Sequence, residues 1–349
     1  MFTASVPHYA IDLTKQEAAR WEDVILHERT VAGQLIAEAA ADLQRVPEVF
    51  RWVFAQLYRA SGGLYRGEIE SWARALEVSP GTATMLNCAY ELSHLRWPRP
   101  FGCTAGVRWI DGLGMVHVRN LDWPLRGLGE ATRLFSFHRR ERYFLAVGVP
   151  GQVGVLSGML PHAYSVTINW APPASLPSFH FGPAFLLRDT LETCDRYEDA
   201  VKLLKRTRLS TSVFFTVCGI DKGQACVIER TPNEAVVREM TGVVLVQANH
   251  HVAERFRRNN EELREMEEGE EEPFIQDSGK RVESLDRALT EATVPCSPEE
   301  VGERLNAAPV LNQYTCQRMV FCPAANVIRV WRRIEEGKLL DENNCRPGT

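Results

Sequence analysis

Apolar residues recur at helical spacing through the first hundred positions. Trp21, Ile25, Val31 and Leu35 mark one face of a helix predicted over residues 15–46. Val49, Val53 and Leu57 mark a second over 47–59, where Pro47 suits a first turn. Two more helical segments are predicted over 67–76 and 81–95, separated by the turn chemistry of Ser79-Pro80-Gly81. The texture changes at Trp97-Pro98-Arg99-Pro100, where two prolines end a helix and force extended backbone.

Strand-like segments follow. Residues 103–110 and 115–120 flank Asp111-Gly112-Leu113-Gly114 and read as a hairpin. Further strands are expected over 132–137, 143–149, 154–159 and 164–170, then helices over 182–193 and 197–207. A second strand cluster, 212–218, 225–230, 235–239 and 243–249, precedes helices over 252–268, 280–290 and 298–305. Strands over 315–321 and 327–331 complete the pattern, which predicts helices covering sheets built largely from hairpins. Residues 261–272 hold eight glutamates and one arginine and read as a solvated loop.

Composition narrows the function classes. With 349 residues, 45% hydrophobic and 24% charged, the chain is neither disordered nor collagen-like. The length allows two units, or one large α/β unit with an appended segment. A formal charge of −5 gives no footprint for nucleic acid or an anionic membrane. No stretch reaches the roughly 18 apolar residues of a membrane span. The first residues lack a basic region followed by an apolar run, and no N-x-S/T sequon occurs. Nine cysteines without a C-x-x-C pair read as reduced thiols of a cytoplasmic protein. His250-His251 would point to opposite faces of a strand, and no Cys/His cluster accompanies them, so no metal is expected, nor any other cofactor. Cys218, Cys226, Cys316 and Cys322 read as strand packing, whereas Trp123-Pro124, Trp170-Ala-Pro-Pro173, Phe179, Phe181 and Phe185 fit a substrate pocket or the core equally.

The chemistry is concentrated in Phe101-Gly102-Cys103-Thr104-Ala105-Gly106 and Val118-Arg119-Asn120-Leu121-Asp122-Trp123-Pro124. A hairpin brings the two ends side by side, so Arg119 and Asp122 can sit beside the Cys103 thiol. A nearby guanidinium favours a thiolate, the nucleophilic form. No histidine base is evident, but cutting the chain before Cys103 would free an α-amine. Such an amine, with a pKa near 8, is an established activator of its own side chain. Gly102 presents no side chain to obstruct attack by the thiol on its carbonyl. The residue types equally allow a buried small cysteine and a turn with a surface ion pair.

These segments resemble the N-terminal-nucleophile cysteine amidases: acid ceramidase, N-acylethanolamine acid amidase, choloylglycine hydrolase and the penicillin-forming acyltransferases. The resemblance runs from about Val78 to Trp331. It rests on Cys103-Thr104 with Arg119 and Asp122 at fixed spacing, on the run Gly154 to Asn169, on Val246-Gln-Ala-Asn249-His250 and on Ser278-Gly-Lys-Arg281. Thr84-Met-Leu-Asn-Cys-Ala-Tyr-Glu-Leu92 resembles the end of a ceramidase-type propeptide.

The resemblance implies an α+β fold, a four-layer αββα sandwich. A helical N-terminal segment of residues 1–102 (propeptide or α-subunit) would precede a catalytic unit of residues 103–349. Cys103 would be the nucleophile and its freed amine the base. Arg119 and Asp122 would hold that terminus, Asn249 would donate to the oxyanion, Asn169 would contact the substrate amide, and Arg281 would support the site. The implied activity is hydrolysis of a small-molecule N-acyl amide, with the two autocleaved fragments staying associated. An acyltransferase, or an inactive binding protein of the same fold, are the alternatives. Cys103-Thr104-Ala105 stands where lysosomal members carry Cys-Thr-Ser, and neither their signal peptide nor their glycosylation sites are expected here.

Overall fold

The computed structural model describes residues 1–43, 64–95, 102–269, 274–291 and 297–334. The expected helix over 47–59 and the Trp97–Pro100 break lie outside these residues. In chain order the strands are β1 (Phe2–Thr3), β2 (His8–Asp12), β3 (Gly102–Ile110), β4 (Gly114–Asp122), β5 (Arg133–Arg139), β6 (Arg142–Gly148) and β7 (Ser157–Leu160). They continue with β8 (Tyr164–Trp170), β9 (Val213–Cys218), β10 (Ala225–Arg230), β11 (Ala235–Glu239), β12 (Val244–Gln247), β13 (Thr315–Cys322) and β14 (Val327–Arg333).

They form two sheets. One has the order β1-β14-β13-β4-β3-β12 and the other β11-β10-β9-β8-β7-β6-β5-β2. The β3–β4 hairpin turns through Gly112 and Gly114, at φ 87° and 84°, conformations that suit glycine. Its register pairs Gly102 with Asp122, Cys103 with Leu121 and Ala105 with Arg119. Side chains alternate along a strand, so Cys103, Leu121 and Arg119 share one face while Gly102, Thr104 and Asp122 lie on the other. The Cys103 face borders the space between the sheets, where Cys103 and Leu121 pack with Val147, Met159, Met319 and Phe321. The Asp122 face borders a helical layer, where Val116, Val118 and Val320 meet Leu285, Leu289, Val301 and Leu305. Beyond the eight-stranded sheet, Phe135, Phe137 and Ile168 pack against Trp21, Trp72, Phe185 and Leu191 of the opposite helical layer. The result is the expected α+β arrangement of helices, sheet, sheet and helices.

The first segment is less purely helical than its periodicity implies. β1 pairs antiparallel with β14, and β2 pairs parallel with β5, so this segment supplies an edge strand to each sheet. Two- and five-residue strands leave too little alternation to read in sequence. The expected helix over 81–95 is also broken, into Pro80–Ala83, a 3-10 turn Met85–Asn87 and Ala89–Leu95. Asn87 explains the break, because its Oδ1 accepts from Val153 N at 2.7 Å and Gly154 N at 2.8 Å. Conversely, the helix expected from residue 280 starts earlier, spanning Phe274–Thr290. Gly279 sits within this helix, with open space beside its Cα. The glutamate-rich stretch is helical up to Met266, with Leu263 buried and the buried Glu267 accepting from Phe274 N at 3.0 Å. No helix among the described residues is long and apolar enough to cross a membrane.

The N-terminal helices are held by more than apolar contact. Glu68, on helix Arg66–Leu76, is fully buried and accepts from Trp21 Nε1 at 2.5 Å, Arg20 Nη1 at 2.7 Å and both Nη atoms of Arg188 at 2.6 and 2.8 Å. Arg188, on helix Pro183–Thr193, lies 4.0 Å above the Tyr65 ring and 4.8 Å from that of Phe137. Burial disfavours the Glu68 carboxylate most, but the Arg188 charge together with the hydrogen bonds from Arg188, Trp21 and Arg20 outweighs it and holds the pKa below the usual range. Removing Arg188 leaves the buried Glu68 with the charge of Arg20 alone among the described residues. Arg188→Met should therefore destabilise the protein by about 3–5 kcal/mol, and adding Glu68→Leu should restore part of that loss. Denaturant unfolding of the single and double variants measures both.

Candidate active site

Cys103 is the second residue of β3 and is completely buried. Three groups converge on it from three directions. Arg119 Nη2 donates to Cys103 Sγ at 3.3 Å. The backbone N–H of Cys103 donates to Asn249 Oδ1 at 2.9 Å. Arg281 Nη1 donates to the Cys103 carbonyl at 2.8 Å and to Thr104 Oγ1 at 2.9 Å.

Arg119 reaches the sulfur because it shares the inward face of the hairpin. Its guanidinium is fully buried and donates to the Leu156 carbonyl at 2.8 Å, to Ser157 Oγ and to the Ile168 carbonyl. Burial pulls its pKa down, but the proximity of Cys103 and Tyr90 prevails and leaves it above the ordinary arginine value. Asp122 takes the opposite face and stands not beside the thiol but beside Gly102. A Cβ on Gly102 would lie 2.9 Å from both Asp122 Cβ and Oδ2, so the close approach requires glycine. Asp122 accepts from Thr315 Oγ1 at 2.6 Å and Asn312 Nδ2 at 3.0 Å, with Arg281 Nη1 at 3.9 Å. Burial raises its pKa despite the opposing charge of Arg281.

Arg281 joins these groups. Its Nη2 donates to Asn249 Oδ1 at 2.9 Å, and its Nε donates to Asp277 Oδ2 at 2.6 Å, one turn earlier on the same helix. Asn249 follows β12 and is fixed by Ser278, whose Oγ accepts its backbone N–H at 2.7 Å. The Asn249 amide donates to the Trp170 carbonyl at 2.8 Å. Asn169, at the end of β8, donates to the carbonyls of Gln247 at 3.0 Å, Ala248 at 3.1 Å and Cys103 at 3.4 Å. It thereby ties the two sheets together beside Cys103. Its Oδ1 is buried and has no hydrogen-bond partner among the described residues.

All six candidate residues therefore fall in one neighbourhood, although Asp122 and Arg281 occupy the outer face of the hairpin and Cys103 and Arg119 the inner. Sequence reading missed Tyr90, Thr104 as an Arg281 partner, Ser157, Asp277, Ser278, Asn312 and Thr315. Tyr90 had a signal, since it lies within the propeptide-like stretch, but nothing local reveals its destination. Asn120, within Arg119-Asn120-Leu121-Asp122, instead donates to the carbonyls of Leu305 at 3.1 Å and Val310 at 3.0 Å and fixes a loop.

The histidines and aromatic side chains nearby separate from the site. His117 faces inward on β4, between Ser165 Oγ at 3.0 Å and Thr167 Oγ1 at 3.1 Å, and burial pushes its pKa down to about 3. It is thus poorly suited to act as a base. His250 pairs with Ser278 at 2.8 Å, whereas His251 pairs with Glu229 at 3.2 Å. Phe185 is buried and stacks on Tyr65, Phe179 is half-exposed, and Trp123 packs against the edges of two core clusters.

Comparison with known proteins adds a family. The sequence matches the family described as acyl-coenzyme A:6-aminopenicillanic acid acyl-transferase over residues 110–309. That range contains Arg119, Asp122, Asn169, Asn249 and Arg281 and begins downstream of Cys103. Rattus norvegicus acid ceramidase is 24% identical over 268 residues, covering 67% of this chain and 66% of its own length, so the chain spans just under two thirds of that relative. The N-acylethanolamine-hydrolyzing acid amidase of Oryctolagus cuniculus is 25% identical over 93% of this chain and 89% of its own length. Among solved structures, a Caenorhabditis elegans N-acylethanolamine-hydrolyzing acid amidase ortholog superposes with a TM-score of 0.51 at 24% identity, covering 64% of this chain and 93% of that one. This last likeness shows a shared fold.

One buried acid beside the site gives a pH-dependent expectation. Glu91 is fully buried, accepts from Ser210 Oγ at 2.7 Å, and burial raises its pKa to about 7. A carboxyl with a raised folded-state pKa stabilises fully below its unfolded pKa, and that contribution is lost as pH rises towards the folded value. Glu91→Gln should therefore differ little from the wild type near pH 4 and become more stable than it between about pH 4.5 and 7, by up to roughly 3 kcal/mol. Thermal unfolding of both proteins across this range measures the divergence.

Proposed function

This chain belongs to the acyl-coenzyme A:6-aminopenicillanic acid acyl-transferase family, and from that premise we propose that it is a self-processing amidohydrolase with Cys103 as its nucleophile. It would cleave a carbon–nitrogen bond in a small N-acyl amide. The observation that carries this reading is the convergence of Arg119 on the sulfur, Asn249 on the nitrogen and Arg281 on the carbonyl of one residue.

Processing comes first. Cys103 Sγ attacks the Gly102 carbonyl carbon, the Gly102–Cys103 C–N bond breaks, and the proton leaving sulfur passes to the departing nitrogen. Water then hydrolyses the thioester, leaving a carboxylate on Gly102 and a free amine and thiol on Cys103. The proximity of Asp122 to Gly102 supports a role in placing the scissile bond. In turnover, the new amine takes the thiol proton, sulfur attacks the substrate carbonyl, and the protonated amine supplies a proton to the leaving nitrogen. Arg119 faces the attacking sulfur. Asn249 serves as an oxyanion donor, exchanging its bond to Trp170 for one to the substrate oxygen. The unpartnered Asn169 Oδ1 supports a contact with the substrate N–H. Water resolves the acyl-enzyme.

The names of the relatives favour acyl amides, ceramide-like or acylethanolamine-like, as the substrate class. The family description favours a second reading, in which an amine resolves the same thioester. The first fragment supplies an edge strand to each sheet and the buried Glu68, which supports its retention after cleavage.

Mass spectrometry of the purified protein should find one piece ending at Gly102 and one beginning at Cys103. An intact chain that nevertheless hydrolyses amides would refute the mechanism. Cys103→Ala should abolish both processing and turnover. Asn249→Ala should retain the fold and lower kcat by about a hundredfold or more, as expected for an oxyanion donor. Adding a competing amine and searching for a new amide product separates transfer from hydrolysis.

A further inference from the structure

We propose that Tyr90, contributed by the segment preceding the cleavage site, is a positioning residue of the active site and makes that segment a working part of the enzyme. The inference rests on the amidohydrolase reading and extends it to a residue outside the expected catalytic unit.

Tyr90 lies on helix Ala89–Leu95 and is buried. Its hydroxyl donates to the Ile168 carbonyl at 2.9 Å and accepts from Arg119 Nη2 at 3.4 Å. That same Arg119 nitrogen also donates to the Ile168 carbonyl and to Cys103 Sγ. Phenol, guanidinium, carbonyl and sulfur thus form one closed cluster. The phenol holds the edge of the guanidinium that faces the nucleophile. Burial raises the Tyr90 pKa well above the usual phenol value, and Cys103 adds to that, so the hydroxyl keeps its proton and remains a donor. Ser93 Oγ, on the next turn, donates to the Tyr90 carbonyl at 2.7 Å and accepts from Trp170 Nε1 at 2.9 Å. His94, also on this helix, approaches the Ala171 carbonyl at 2.9 Å. The helix is therefore docked along the end of β8, with Tyr90 aimed at the nucleophile. A segment that served only to block the site would have no need of a hydroxyl bonded to the nucleophile's cationic partner.

The test is Tyr90→Phe, which keeps the ring and its packing and deletes one oxygen. The expected result has three parts. Gly102–Cys103 scission slows, by mass spectrometry over time. Once the chain is processed, kcat falls about tenfold or more with KM little changed. The acid limb of kcat/KM against pH moves upward, because the nucleophile loses part of its polar support. Tyr90→Phe that processes and turns over like the wild type overturns the proposal. So does a variant that merely melts earlier while its pH profile stays in place, since that is packing alone. A wild-type chain that never processes overturns the amidohydrolase reading and this proposal together, whereas a processed, active wild type with an indifferent Tyr90→Phe overturns this proposal alone. A further check separates the segment from its hydroxyl. If the processed protein keeps full activity after the first fragment is stripped away by mild denaturant and removed, the segment is dispensable and the inference fails.

Discussion

The site depends on one buried cation. Arg119 is fully enclosed between the two sheets, and no carboxylate pairs with it among the described residues. An ion taken out of water costs several kcal/mol unless its hydrogen bonds are replaced and its charge is answered. Here the replacement comes from carbonyls and hydroxyls at Leu156, Ser157, Ile168 and Tyr90. The charge is left facing the sulfur of Cys103. A guanidinium in this environment keeps its charge available to the sulfur, because neutral partners orient it without cancelling it.

That constraint orders the architecture around it. The partners of Arg119 come from the loop before β7, from β7, from β8 and from the N-terminal helix Ala89–Leu95, so one side chain of the six-stranded sheet gathers the eight-stranded sheet and the first segment. The opposite face of the hairpin holds a second buried guanidinium, Arg281, whose charge is answered by Asp277. It reaches the Cys103 carbonyl, Thr104, Asn249 and Asp277, with Asp122 close by. Two guanidiniums on opposite faces of one strand thus grip the side chain and the backbone of the same residue. This separation lets the backbone around Gly102 be held without occupying the inner face where the sulfur lies.

Sequence patterning and structure agree where elements are long and alternating. The β3–β4 hairpin, β8 to β10 and β13 to β14 fall where strands were expected, and Gly112 and Gly114 mark the hairpin turn in advance. Agreement fails where a tertiary bond outweighs local preference. Asn87 stops a helix by capping the backbone of Val153 and Gly154, and Gly279 is carried inside a helix because nothing crowds it. The short edge strands β1 and β2 have too few residues to show a period, so their segment reads as helical.

What the sequence determined by itself was the set of reactive residue types and the spacing that a hairpin turns into proximity: Cys103 with Arg119 and Asp122. Parity along two strands even decides which of them share a face, once the register is known. The tertiary structure alone decided that register, and with it the assignment of Asp122 to the backbone side rather than the thiol side. It alone brought Asn169, Asn249, Arg281 and Tyr90 to the same cysteine. Those meetings join positions far apart in the chain, and their energy comes from burying polar groups that must find partners. No local pattern encodes which distant partner will satisfy them.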